Sequence, residues 1–299
     1  MKFKFWGVRG SIPTPGPNTV KYGGNTTCIE VRPSSGELLI LDAGTGIHAL
    51  AQSLAKHVPV TAHILLTHTH WDHIQGLPFF LPIFRKSSQI HIYGADDEQT
   101  GRGIDRAMSV QLQHSYFPIN ETQLKADVVY HALQSGQSIR IGSAIITPLV
   151  LNHPVINLGY RIDDSDGSSL FFTGDYEPLC RSAVPEHADD TEASLRAERQ
   201  RQNIVRLVSD VDTLIVDASY TDAEYQDKID WGHGTYEGGI RLARQVNAKR
   251  LFFTHHEPTR SDHDLEVIYH ALMQSSDLPC RMYLAQEGRE YPLETEVDR

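Results

Sequence analysis

The sequence is poor in cysteine. Among 299 residues there are three, Cys28, Cys180 and Cys280. An odd, scattered set without CxxC spacing excludes a disulfide framework and a zinc knuckle. No run approaches the roughly 18 apolar residues of a membrane span, so none is expected. The opening MKFKFWGVRG has no apolar stretch and no small-residue cleavage site, so no secretory leader is expected and cytoplasm is the expected compartment. Positive charge is also scarce. Lys and Arg number 27 against 38 Asp and Glu, a formal net charge of −11. Proteins that grip nucleic acid through its phosphates carry a net basic face, so no stable nucleic-acid complex is expected. Nor is any segment repetitive or of low complexity.

Strands are what the chain has in abundance. KFKFWGV, TCIEVR, ELLILDAG, AHILLTH and QIHIYG come first, then VVYHAL, SIRIG, AIITPLVL, LGYRID and SLFFTGD, then DTLIVDAS and RLFFTHH. Helix-like runs are GIHALAQSLAKH at 46–57, SLRAERQRQNIVRLVSD, TYEGGIRLARQV and SDHDLEVIYHALMQ. Residues 96–127, polar and helical in part, and 177–209, opening with YEPLCRSAVPEHADD, read as insertions, not linkers. One domain over 1–299 is expected, with strands in two sheets and helices outside.

The strands end on chemistry. LLILD ends at Asp42, HILLTH at His68, ITPLVLNH at His153, LFFTGD at Asp175, TLIVD at Asp217 and LFFTH at His255. Apolar strands lie side by side, so their ends can converge on one rim. The densest point is LLTHTHWDHIQG at 65–76, with His68, His70, Asp72 and His73 inside six positions. In extended backbone His68 and His70 point the same way. Asp72 and His73 lie past a bend and can aim at a neighbouring point, so one motif can serve two metals. Histidine nitrogens and carboxylates suit zinc, and also manganese or iron.

HTHWDH fits the HxHxDH motif of the metallo-β-lactamase superfamily. In order, LNHPVINLGYRI, LFFTGD, WGHGT and LFFTHHEP resemble later motifs of its ribonuclease Z-like branch, as does the opening WGVRGSIPTPGPNTVKYGGNTTCIEV with LLILDAGTGI. The resemblance implies a four-layer αββα sandwich with a dinuclear metal site at one edge of the two sheets. It implies that His68, His70 and His153 hold one divalent ion and Asp72, His73 and His255 the other. Asp175 bridges them, and a bridging hydroxide completes the site. Zinc is the foremost metal expected. A homodimer is usual in the branch.

His255 and His256 compete for one role. The F-T-H alignment selects His255 and leaves His256 behind the ligands or toward substrate. Asp42 reads either as the partner of a metal-bound histidine's other N–H, or as a helix N-cap before GTGIHAL. The short glycine pairs GTG and GRG carry no nucleotide signature, and YGGN reads as a tight loop. His48, His57, His63, His91, His114, His131, His187, His263 and His270 read as structural or exposed.

An aspartate at 175, where β-lactamases of the superfamily carry cysteine, argues against β-lactam hydrolysis. The box around His233 points to phosphodiesters. An imidazole beside two metals can donate to a phosphoryl or leaving oxygen. The catalytic candidates are therefore Asp72, His233 and Asp217, which the resemblance implies orients His233. Gly234 stands where the branch usually has serine, so a hydroxyl contact to phosphate rests on Thr235 at most. The expected function is hydrolysis of a small or cyclic phosphodiester, a cyclic nucleotide foremost. The alternatives are a tRNA 3′-processing endonuclease, a thioester or lactone hydrolase, or a non-catalytic regulatory module. Arg196, Arg199, Arg201 and Arg206 read as a solvated helix face.

Overall fold

The computed structural model describes residues 1–96, 103–178, 190–274 and 279–293, with the backbone alone at 107, 190–194, 196 and 197. Strands β1 (Lys2–Gly7), β2 (Cys28–Arg32), β3 (Leu38–Leu41), β4 (Thr61–Leu65), β5 (Gln89–Ala95) and β6 (Asp127–Leu133) form one sheet. The second holds β7 (Ile139–Ile141), β8 (Ala144–Leu151), β9 (Asn157–Asp164), β10 (Ser169–Phe172), β11 (Thr213–Asp217), β12 (Arg250–Thr254) and β13 (Arg281–Leu284). The last strand, β14 (Glu290–Pro292), returns to the first sheet beside β1. Each sheet is antiparallel on one side and parallel on the other. The parallel parts are β3-β4-β5-β6 and β10-β11-β12-β13.

Alternation builds the layers. All four residues of β3 are buried, and successive side chains on a strand face opposite sides. Leu39 and Leu41 enter the core between the sheets, while Leu38 and Ile40 pack with Ile47 and Leu50 of α1 (Gly46–Ser53). In β11, Ile215 faces the other sheet, and Leu214 and Val216 face outward. There they meet α4 (Asp190–Val208), α6 (Tyr236–Gln245) and α7 (Asp262–Met273) through Ile204, Ala243 and Leu265. The other α-helices among the described residues are α2 (Trp71–Ile74), α3 (Ile104–Gln111) within the 96–127 segment, and α5 (Asp222–Tyr225). Helix, sheet, sheet, helix is the layering expected from the sequence.

Two local expectations change. α1 stops at Ser53, well short of His57, with its C-cap at Leu54. Its N-cap is Thr45, so Asp42 is not a cap.

The two sheets meet closely beneath the strand ends. The buried Tyr160 hydroxyl on β9 donates to the Leu66 carbonyl at 2.6 Å. Above this contact three strand ends turn into left-handed backbone: Asp42 has φ 60°, Gly174 φ 60° and His255 φ 57°. For a non-glycine residue that conformation costs roughly 1–2 kcal/mol, and such outliers cluster where function needs a side chain aimed. At Gly174 a Cβ would also lie 2.5 Å from Asn157 Oδ1, so glycine is required just before Asp175.

Candidate metal centre

The strand ends bring two sets of ligand-capable atoms together. In the first, atoms of His68, His70, His153 and Asp175 lie within 4.8 Å of one another. His68 follows β4, His153 follows β8, and His70 is the extended N-cap of α2. In the second set, Asp72, His73, His255 and Asp175 meet under the same limit. The bend expected after His70 is α2 itself, whose first turn carries Asp72 and His73.

Asp175 divides its oxygens between the sets. Oδ2 lies 3.6 Å from His68 Nε2 and 3.9 Å from His153 Nε2. Oδ1 lies 3.1 Å from His73 Nε2 and 3.3 Å from His255 Nε2. Asp72 Oδ2 is 3.2 Å from both His73 Nε2 and His255 Nε2, and accepts the Ser11 amide at 2.8 Å.

The outer ring nitrogens are already engaged. His73 Nδ1 donates to Asp42 Oδ2 at 2.8 Å, and His153 Nδ1 to the Gly232 carbonyl at 2.9 Å. Thr67 Oγ1 lies 3.0 Å from His68 Nδ1, and Ser219 Oγ 3.1 Å from His255 Nδ1. Asp42 in turn accepts the Thr67 amide and hydroxyl. Such partners fix ring orientation and leave the inner nitrogen as a lone pair.

These residues fit a metal. His68 Nε2, His73 Nε2 and Asp175 Oδ1 are buried with no hydrogen-bond partner. Asp42, Asp72, Asp175 and Asp217 are all buried, and among the described residues no Lys or Arg forms a salt bridge with any of them. Buried carboxylates without cationic side chains call for another cation. Protons supply part of it without metal. Burial, the largest single influence, works against charge on His73 and His255, but the surrounding carboxylates together outweigh it and raise both pKa values: Asp175, Asp72 and Asp42 at His73, and Asp175, Asp217 and Asp72 at His255. Burial favours protonated Asp72 and Asp175, but neighbouring histidines hold both below the usual carboxylate range. Burial keeps His68, His70 and His153 neutral, the form a metal needs.

His233 stands beside both sets. Its Nδ1 is 2.9 Å from Asp217 Oδ2 and 3.8 Å from Asp175 Oδ2. Its ring stacks on His255 at 4.8 Å. Burial lowers its pKa, but Asp217, Asp175 and Asp72 prevail and raise it to about 9. The glycine that follows has a spatial reason: a Cβ on Gly234 would lie 2.7 Å from the Asp217 carbonyl oxygen. Thr235 cannot replace the missing hydroxyl. Its Oγ1 caps α6 by accepting the Gly238 amide and donates to Asp222 Oδ1 at 2.6 Å.

His256 is shut off from solvent, with Nε2 3.1 Å from the Ala285 carbonyl. Its backbone accepts from Gly10 and donates to Val8, which sets the loop whose Ser11 amide meets Asp72. Sequence reasoning marked that opening only as a motif of the branch and gave no role to Arg9 or Ser11, nor to Ser219 and two exposed tryptophans. Trp71 and Trp231 are 58% and 56% exposed and adjoin His70, Asp72 and Gly232 in the chain. The signal for the tryptophans was present: large aromatics inside the two most polar motifs. Of the other histidines, His63, His91 and His131 cluster together, and His187 lies outside the described residues.

The family profile described as "Beta-lactamase superfamily domain" matches residues 38–256. Ribonuclease Z of Staphylococcus aureus (strain MSSA476) is 24% identical, over 93% of this chain and 96% of that protein. The metallo-beta-lactamase fold protein YhfI of Bacillus subtilis superposes with a TM-score of 0.68 at 20% identity, covering 97% of this chain and 99% of that one. A diphosphatase from the PhnP family gives 0.63 at 18% identity, covering 98% of each. Both sets of converging side chains lie inside the matched span, and the chain belongs to the beta-lactamase superfamily, as a metal-dependent hydrolase of its ribonuclease Z-like branch.

Proposed function

We propose that the protein hydrolyses a small phosphodiester, a cyclic nucleotide foremost, with two divalent ions of which zinc is the leading candidate. His68, His70 and His153 would hold one ion, Asp72, His73 and His255 the other, and Asp175 both. Four buried carboxylates match the charge of two divalent cations. When bound, the ions neutralise phosphate charge and activate the attacking water.

The observation that carries the reading is the His233–Asp217 contact of 2.9 Å beside both ligand sets. Asp217 holds Nδ1 and leaves Nε2 to donate to a phosphoryl oxygen or to protonate the leaving oxygen. By the resemblance, thioester and lactone hydrolases of the superfamily typically lack a histidine in this box. Asp72 is fixed by the Ser11 amide and two imidazoles, so its part is to hold the metal and the attacking water in place.

The small substrate follows from charge and rim. At −11, the chain gains little from the attraction that draws RNA to a protein. Arg199, Arg201 and Arg206 are exposed on α4, and Arg201 pairs with Glu198; the Arg196 side chain lies outside the described residues. Trp71 and Trp231 offer exposed rings on which a nucleobase can stack. The second reading, a tRNA 3′-processing endonuclease, is favoured by the ribonuclease Z relatives matched over 93% of the chain. By its branch the protein is also proposed to act as a homodimer.

One comparison of kcat/KM, at one buffer and salt, separates the two readings. Its substrates are cyclic nucleotides, ribosyl cyclic phosphate, a linear dinucleotide and a tRNA precursor. Cyclic nucleotides are expected to be cleaved best. Accurate 3′ trimming of the precursor with the cyclic substrates untouched would establish the endonuclease instead.

A further inference from the structure

Two residues beyond Asp175 the chain carries Glu177, which belongs to neither ligand set. Its side chain is buried, and among the described residues no Lys or Arg forms a salt bridge with it. Hydrogen-bond donors satisfy it instead. Oε1 accepts the Asp230 amide at 2.8 Å and the Tyr225 hydroxyl, and Oε2 accepts the Gly232 amide at 2.7 Å. Asp230 and Gly232 flank Trp231 in the turn between α5 and α6, and both have left-handed backbone, φ 68° and 88°. Backbone N–H groups in such turns can converge on an anion, here the Glu177 carboxylate. Left-handed backbone is unfavourable for a non-glycine residue such as Asp230, and the carboxylate offsets that cost.

The turn so held carries part of the site. The Gly232 carbonyl accepts His153 Nδ1 at 2.9 Å, and a Cβ on Gly232 would run into the His153 ring. His233 comes next. Its ring is anchored on Asp217 Oδ2, which also accepts the Gly234 amide at 3.3 Å. The amides on either side of His233 thus end on two different buried carboxylates. Asp217 fixes the ring, and Glu177 fixes the backbone from which the ring projects. Glu177 is itself tied down beside His153. Its amide donates to the Asn152 carbonyl at 3.1 Å, and Asn152 Nδ2 donates to the Glu177 carbonyl at 3.0 Å.

We propose that Glu177 is a positioning residue for His233, holding the 230–233 turn so that the imidazole is aimed at the reacting phosphodiester. This rests on the role of His233 proposed above. The competing explanation is a brace that stabilises the fold and leaves the contribution of His233 to the rate untouched.

The test is a double-mutant cycle on the full, zinc-loaded chain, with Glu177→Gln and His233→Ala made alone and together. The probes are the phenyl and p-nitrophenyl esters of thymidine 5′-monophosphate. Glutamine keeps the shape but turns an NH2 group toward an N–H or O–H donor. Glu177→Gln alone is expected to lower kcat on the phenyl ester by about 10–10²-fold, the scale of a misplaced reacting group. Zinc content, read by elemental analysis, should stay at the wild-type level, and the two esters should be affected in the same ratio as by His233→Ala. In the His233→Ala background the substitution should change kcat by less than about twofold, because residues that act through one group are not additive. An equal loss in both backgrounds, a different ratio between the esters, or no loss at all overturns the role of Glu177 and leaves that of His233 standing. No loss on His233→Ala itself overturns both. Should Glu177→Gln unfold or shed zinc, Tyr225→Phe, which removes one donor and keeps the carboxylate, decides by the same cycle. A loss present only where His233 is intact supports the role, and an equal loss in both backgrounds, or none, overturns it.

Discussion

His233 directs Nδ1 at Asp217 Oδ2, 2.9 Å away, and the same oxygen accepts the amides of Tyr176 and Gly234 at 3.3 Å each. The carboxylate is thus anchored by backbone and in turn anchors the ring. His233→Ala is expected to leave metal content at the wild-type level and lower kcat by about 10²–10⁴-fold, as loss of a general acid does. The loss should shrink with a p-nitrophenolate leaving group, which needs no proton. Parallel measurements on activated and natural substrates check this. Equal losses on both would assign His233 to charge stabilisation alone.

Asp175 presents Oδ2 to His68 and His153, and Oδ1 to His73 and His255. Asp175→Ala should therefore reduce occupancy of both ions and hydrolysis together. Elemental analysis alongside steady-state kinetics reads both. Full occupancy of two ions in this variant would show that the carboxylate does not bridge.

Stability should depend on pH through His63. Its folded pKa is lowered from 6.5 to about 4, chiefly by burial, then by His91 and His131, with Glu37 acting the other way. A depressed folded value means the unfolded chain binds the proton first. This contribution is complete above about 6.5 and is lost as pH falls toward about 4. Denaturant unfolding of wild type and His63→Gln across that window should show a shallower acid loss in the variant. Parallel curves would remove His63 from the linkage.

The strand ends were legible because unbroken apolar runs, the pattern of strands covered on both faces, stop abruptly at Asp42, His68, Asp175, Asp217 and His255. The four-layer order came from the resemblance to the superfamily, because a run buried on both faces does not say which face a helix covers. What stayed hidden depends on contacts distant in sequence. Arg9 is fully buried, donating to the Gly23 carbonyl at 2.8 Å and the Arg260 carbonyl at 2.8 Å. Nothing local marks it, since its partners lie 14 and 251 residues away. Ser11 reaches Asp72 by the same loop. β13 and β14, four and three residues long, are too short to show a period. The cluster of His63, His91 and His131 was likewise invisible as separate histidines, because only strand register brings them together.

The most direct measurement is a metal titration of hydrolysis. Chelator-stripped protein is loaded stepwise with zinc, and cleavage of bis(p-nitrophenyl) phosphate is recorded against ions bound per chain. The expected result is no hydrolysis in the stripped protein and a rise that saturates at two ions. Hydrolysis persisting after complete removal of metal, or none at any loading, would contradict a two-ion phosphodiesterase built on these strand ends.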